Sequence, residues 1–204
     1  MKHKKYQSLE EKISFFYNLG LDYINEVIIN YPDYHLMPWE ESPYYQKYKE
    51  DFQDAVLRYG DLIDEGYVAP CSIQANPDGM GYGLFCEKDM RNGDLLGVYT
   101  GVVQEALAEV ALNKEKSKFT TDYAWDYPDQ LEGYPEMEIN ALHKGNELRF
   151  VNHSFTPNCD VEHTLYKGVW QLLFLANQDI PKGQEFFVDY GDDYWSSKYR
   201  TLII

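Results

Sequence analysis

The stretch LRFVNHSFTPNCD, Leu148 to Asp160, decides how the rest of the chain is read. It crowds Arg149, Asn152, His153, Ser154, Asn158 and Cys159 around Pro157, between the apolar runs INAL and VWQLLFLA. A surface loop, a metal site and a nucleophile site would all look like this. A Ser154–His153 nucleophile pair is disfavoured, because adjacent residues of an extended segment point to opposite faces and do not share a proton. A metal centre is disfavoured as well: His143, His153 and His163 lack ligand spacing, and the nearby carboxylates are scattered. On their own the histidines read as structural or surface residues.

Composition narrows the function classes. The chain has 204 residues, 44% hydrophobic and 25% charged, which predicts one packed domain, or one with a helical extension, and little disorder. Nineteen tyrosines are enough to build both a core and clefts that use an apolar body with a polar tip. A formal net charge of −16 repels polyanions, so direct nucleic-acid or membrane-surface binding is not expected, and a basic protein or peptide is the better-matched partner. Acidity that serves solubility alone accounts for the charge equally well. Cys71, Cys86 and Cys159 form no CxxC pair, which suggests neither a disulfide framework nor a zinc knuckle. No leader-like segment or run of about 18 apolar residues is present, so an intracellular soluble protein is expected.

The pattern changes along the chain. Residues 1–66 read as a helical region. Ser8 and Glu11 have capping-box spacing, and Ile13, Phe16, Tyr17, Leu21, Ile24 and Ile28 recur at helical intervals. Ser42-Pro43 opens a second helix carrying Tyr45, Tyr48, Phe52, Val56 and Tyr59 on one side, with Gly60 as its stop. From Tyr67 the chain breaks into short β-rich runs: YVAPCSIQA, GYGLFCEK, DLLGVYTGVV, TDYAWDY, MEINAL, VWQLLFLANQ and EFFVDYG. Turn signals NPDGMG, RNGD and IPKGQ separate them. Gln104 to Lys118 has the composition of a helical insert.

Four stretches carry the chemistry. In GMGYGLF, Gly81 and Gly83 flank Tyr82 and permit close backbone approach, yet they do not form G-x-G-x-x-G. VYTG places Tyr99 at a strand end. LRFVNHSFTPNCD is the third, and GQEFFVDYG, with Tyr190, the fourth. In this order they resemble the SET-domain family of S-adenosylmethionine-dependent protein lysine methyltransferases, over roughly Val68 to Trp195. INALHKGNELRFVNHSFTPNC is similar to that family's I-D-A, G-N and R-F-x-N-H-S-x-x-P-N block, and GQEFFVDYG to its D-Y-G ending.

The resemblance implies a mainly β fold of small sheets, with a knot-like C-terminal threading and an N-terminal α-helical extension. That threading is an exception to the usual absence of knots. The domain would span 67–191, and residues 192–204 would form an aromatic tail closing the cofactor site. The N-H-S and D-Y-G segments would meet, and their side chains would serve irregular backbone buried at the crossing. By the same resemblance S-adenosylmethionine would be held by Gly81, Tyr82, Gly83, Arg149, Phe150, Asn152 and His153, with Trp195, together with Tyr199, over the adenine. Tyr123 or Trp125 would reach the cofactor or the peptide. Tyr190 would contact the cofactor and supply the essential hydroxyl where the cofactor and lysine channels meet, and Tyr99 would line the lysine channel. The substrate would be a basic protein tail, a histone tail among them; the N-terminal helices are candidates for a dimer or substrate contact.

Three departures qualify this. Phe155 stands where many members have Cys, and the tail has no Cys, so no zinc is expected. Val188, where an aromatic residue often narrows the channel, would leave more room and permit higher methylation. Asn140 stands where Asp is frequent.

Overall fold

In the computed structural model, residues 4–76, 81–106 and 123–191 are described. A capping box opens helix α1 (Leu9–Asn18): Glu11 N donates to Ser8 Oγ at 3.2 Å, and Ser8 N donates to the Glu11 carboxylate at 2.9 Å. The helix is shorter than its periodicity suggests. Leu19 caps it, Gly20 turns the chain at φ 73°, and the rest of the expected helix is instead two short strands, β2 (Asp22–Tyr23) and β3 (Ile28–Ile29). The buried face also differs: Lys12, Phe15 and Phe16 point inward, whereas Ile13 and Tyr17 are exposed.

Ser42 Oγ accepts from Tyr45 N at 3.0 Å and starts α2 (Pro43–Lys47); α3 (Lys49–Asp64) follows after Tyr48. Gly60 does not stop α3. It lies buried within the helix, where a Cβ would come 3.4 Å from the Tyr166 ring. The stop is Gly66 at φ 60°, in a Schellman arrangement: Gly66 N donates to Ile63 O at 3.0 Å and Tyr67 N to Leu62 O at 2.9 Å.

The remaining strands are short. They begin with β1 (Lys5–Tyr6) and continue with β4 (Cys71–Ala75), β5 (Tyr82–Cys86), β6 (Leu95–Tyr99) and β7 (Val102–Glu105). Next come β8 (Ala124–Asp126), β9 (Met137–Asn140), β10 (Lys144–Gly145) and β11 (Asn152–His153). The last are β12 (Cys159–Tyr166), β13 (Val169–Ala176) and β14 (Phe187–Val188). They form small sheets ordered β1-β4-β5, β12-β13-β6 and β3-β7-β9-β8, with two parallel pairs, β10-β2 and β11-β14. The expected mainly β architecture is therefore present, and β1, β2 and β3 stitch the N-terminal region into its sheets. Gln104 and Glu105, expected to begin a helical insert, belong to β7 and pair with Glu138 and Met137; residues 107–118 lie outside the described residues.

The core sits between these sheets and the helices. Trp170 of β13 is fully buried, and Trp39, Tyr45 and Phe52 pack their rings on it. β13 alternates as a strand must: Trp170, Leu172 and Phe174 face this main core, while Leu173 and Leu175 face a smaller one with Tyr59, Leu95 and Val98 beneath α3.

Candidate active site

The polar crowd around Pro157 has a structural task. β11 and β14 pair in parallel for only two residues, Asn152 with Phe187 and His153 with Val188. Side chains complete what so short a ladder leaves open. Asn158 Nδ2 donates to Glu185 O at 2.8 Å, and its Oδ1 accepts from Phe187 N at 2.8 Å. Asn152 Nδ2 donates to Tyr82 O at 3.1 Å and to Glu185 Oε1 at 2.8 Å, tying the β5 entrance to the same crossing. Gly83 makes this approach possible: a Cβ there would collide with the Glu185 carboxylate and lie 2.8 Å from Asn76 Oδ1. Gly81 adopts φ 77°, with no atom of the described residues within 4 Å of where its Cβ would stand.

His153 lies in this crossing as a neutral ring. Its Nδ1 accepts from Tyr190 N at 3.2 Å, so that nitrogen carries no proton. Burial pushes its pKa below the ordinary value, outweighing the opposite pull of Asp189 at 3.6 Å. A neutral acceptor that fixes the Tyr190 backbone is a positioning group.

Behind the crossing a cavity of about 40 Å3 is bounded by Tyr99, Tyr123, Trp125, Arg149, Phe174 and Tyr190, with Ala124, Leu148 and Val151. A single water takes roughly 10–15 Å3, so this space admits the head of a linear chain and excludes a broad one. The Tyr99 ring stacks on Phe174 at 5.6 Å, and Trp125 stands edge-on to both Tyr99 and Tyr190 at 6.2 and 6.1 Å. Tyr190 Oη donates to Val151 O at 2.7 Å and Tyr99 Oη to Tyr123 O at 2.8 Å. Burial raises the Tyr99 pKa, so it remains a phenol. The Arg149 guanidinium lies 4.0 Å from the Tyr123 ring centre and donates to Ala141 O at 3.1 Å and Leu142 O at 3.4 Å.

The structure thus brings Tyr99, Tyr123, Arg149 and Tyr190 to one cavity, with Tyr82, Asn152 and His153 at the adjoining crossing. Phe150 is 8% exposed, packed against Phe15, Phe16 and Tyr82 under α1. Val188 is fully buried and does not border the cavity; Phe174 and Trp125 set its width instead. Trp195 and Tyr199 lie outside the described residues. Phe155 is exposed, its ring edge-on to His153 at 4.5 Å. Asn140 gains a reason: its Oδ1 accepts from Leu142 N at 2.9 Å and its Nδ2 donates to the buried Glu138 carboxylate at 3.0 Å, where an aspartate would meet like charge. Sequence reasoning missed Phe174, which sits one strand away from Tyr99 at a position set only by β6–β13 register, and Glu185, whose sole signal is its place in GQEFF.

A family model described as SET domain matches residues 81–191. A variant-silencing SET domain-containing protein of Plasmodium falciparum (isolate 3D7) is 32% identical over 125 residues, 60% of this chain and 5% of that protein. The putative histone-lysine N-methyltransferase ASHH4 of Arabidopsis thaliana is 32% identical over 111 residues, 54% of this chain and 30% of its own length. The inactive histone-lysine N-methyltransferase 2E of Mus musculus is 40% identical over 66 residues, 32% of this chain and 4% of that protein. The chain therefore spans less than a third of the length of these relatives. Among solved structures, ctPRC2 in an autoinhibited conformation bound to S-adenosylmethionine matches at TM-score 0.53 and 26% identity, over 64% of this chain and 16% of that one. A humanized mutant of the Chaetomium thermophilum Polycomb Repressive Complex 2 bound to an inhibitor matches at TM-score 0.52 and 24% identity, over 64% of this chain and 16% of that one.

Proposed function

The chain belongs to the SET-domain family, and on that premise we propose that it transfers a methyl group from S-adenosylmethionine to the ε-amine of a lysine in a basic protein tail, with histone tails the first candidates. The observation that carries this reading is the use of the two channel hydroxyls. Tyr99 and Tyr190 have each spent their one proton on a backbone carbonyl, so what they offer the channel is an acceptor oxygen. An amine carries protons to donate, and two such acceptors fix its direction. A histone substrate implies a nuclear, chromatin-directed role.

Residues 67–191 form the catalytic domain in this reading. Residues 1–66 brace it, and 192–204, with Trp195, close the cofactor side. S-adenosylmethionine, when bound, supplies the methyl on a sulfonium centre. The residues present suit it: the positive-φ backbone of Gly81, the half-buried Asn152 and His153, and Tyr82 with Phe150 behind it. Arg149 flanks the passage to the channel. A free lysine with pKa about 10.4 loses roughly 4–5 kcal/mol to become neutral at pH 7. The aromatic walls desolvate the amine, and the Arg149 cation opposes its ammonium form; both lower that cost. Trp125 and Phe174 hold the lysine stem extended, and Tyr190 with Tyr99 aims the nitrogen lone pair, which removes entropy from the barrier.

A second reading, peptide or cofactor binding without turnover, draws support from the mouse relative named inactive. Mass spectrometry of histones incubated with the protein and S-adenosylmethionine separates the two. Methylated lysines support the enzyme. Unmodified histones, with the cofactor bound by calorimetry, support the binding module.

A further inference from the structure

The cofactor side of the site is built from two segments far apart in the chain. Tyr82 opens β5 directly after Gly81, and Phe150 ends the 3-10 turn Glu147–Phe150 that leads into Asn152 and His153. The hydrogen bond from Asn152 Nδ2 to Tyr82 O ties the segments, and the two rings meet edge-on, 6.2 Å apart at 74°. Phe15 of α1 fills the third corner. Its ring lies 4.8 Å from Tyr82 at 71° and 5.7 Å from Phe150 at 53°, so the three rings meet pairwise. Inclined pairings of this kind set both the spacing and the tilt of the rings. Phe150 in turn holds the Arg149 guanidinium 5.0 Å from its ring centre.

The helix that carries Phe15 is fixed by other contacts. The capping box holds its start, Leu21 N donates to Phe16 O at 2.9 Å at its end, and Lys12 is paired with Glu147, three residues before Phe150. Tyr6, Ile73 and Leu84 stand in one row across β1, β4 and β5, and Tyr82, two residues before Leu84, shares their face. Phe15 packs on that face between Tyr6, at 4.2 Å, and Tyr82. It is 3% exposed, while the Tyr82 that it supports is half-buried. A close-packed ring on a fixed helix passes its position on to its neighbours.

We infer that Phe15 is a positioning residue for S-adenosylmethionine: it wedges the Tyr82 and Phe150 segments at the separation the cofactor needs, so that the N-terminal region shares in the cofactor site. Phe15 lies outside residues 81–191, so the match to the SET domain does not supply it. The identity of the ligand rests on the methyl-transfer reading; the wedge rests on the ring contacts.

The test makes the same substitution at two buried phenylalanines of the full chain. Phe15→Leu removes the wedge. Phe52→Leu removes a ring of similar burial that packs on Tyr44, Tyr45, Tyr48 and Trp170 instead. Both should lower the melting temperature, as any loss from a packed core does. Calorimetry with S-adenosylmethionine should give a Kd raised about tenfold or more in Phe15→Leu and within about twofold of wild type in Phe52→Leu, with transfer at saturating cofactor within about twofold in both. Phe15→Met keeps most of the bulk and the fold, and should raise Kd only about two- to fivefold. In NMR spectra recorded without cofactor, the Asn152 side-chain amide should shift in Phe15→Leu and stay in place in Phe52→Leu. An unchanged Kd in Phe15→Leu and Phe15→Met, an equal loss in Phe52→Leu, or a stationary Asn152 amide would each overturn the assignment. A wild type without affinity for S-adenosylmethionine would sink the methyl-transfer reading and the ligand named here with it, whereas the amide shift still decides whether Phe15 sets the gap.

Discussion

Glu147 and Arg149 stand two residues apart on one 3-10 turn, Glu147–Phe150, both buried, and the protein handles their charges in opposite ways. Glu147 meets a full counter-charge: Lys12 Nζ lies 2.6 Å away, and Tyr23 Oη donates from 2.7 Å. Burial works against the Lys12 charge, but its partners Cys71 and Glu147 outweigh this and hold its pKa above the ordinary value. Cys71 itself, pushed up to about 12 by burial, stays a thiol at neutral pH and leaves the carboxylate as the real partner. Among the described residues Arg149 meets no carboxylate. Two carbonyls and the rings of Tyr123 and Phe150 hold it, and its positive potential remains directed at the channel. The first arrangement cancels a field and locks α1 and β2 onto the sheets. The second preserves a field where an amine is proposed to react.

Removing the cation from the first arrangement should have the largest effect on stability. Lys12→Met leaves Glu147 buried and uncompensated, at a cost of about 3–5 kcal/mol in denaturant unfolding. Adding Glu147→Leu to that variant should recover more than half. If both variants are equally destabilised, packing and not charge holds the N-terminal region.

A third group, the half-buried His163, is discharged instead of paired. Burial lowers the His163 pKa to about 4 from an unfolded value near 6.5. The folded state thus resists protonation, so its contribution is present above pH 6.5 and lost as pH falls towards 4. About 2.5 units at 1.36 kcal/mol each gives up to roughly 3 kcal/mol. His163→Gln should flatten that part of the stability profile; an unaltered acid limb would mean that other groups govern it.

Arg149→Met should cost less, about 1–3 kcal/mol, because it strands the Ala141 and Leu142 carbonyls but leaves no bare charge. A loss as large as that of Lys12→Met would erase the distinction between the two arrangements.

Legibility in the sequence followed the range of the interactions. The meeting of N-H-S with D-Y-G was implied by the family resemblance alone; Asn152 and Asn158 then serve the irregular backbone at the crossing. Tyr99 and Tyr190 were readable from motif position alone. Leu21, Ile24 and Ile28 misled because their helical spacing is incidental: Tyr23 and Ile28 are placed by β10 and β7, more than 70 residues away in sequence. Gly60 misled because its lack of a side chain serves close packing on Tyr166 from a distant hairpin. β12 went unread although Val161, His163 and Leu165 alternate with Asp160, Glu162 and Thr164, since its polar half resembles a loop. The Lys12–Glu147 lock joins residues 135 apart and has no local signal at all.

The most direct test of the proposed chemistry is to measure cofactor affinity and methyl transfer side by side in Tyr190→Phe. His153 grips the Tyr190 backbone, which the substitution keeps, whereas the lost hydroxyl is the group proposed to aim the amine. The account predicts S-adenosylmethionine affinity by calorimetry within about twofold of wild type, and transfer to a basic substrate reduced about a hundredfold or more by mass spectrometry. Transfer at the wild-type rate, or loss of affinity in step with transfer, would contradict it.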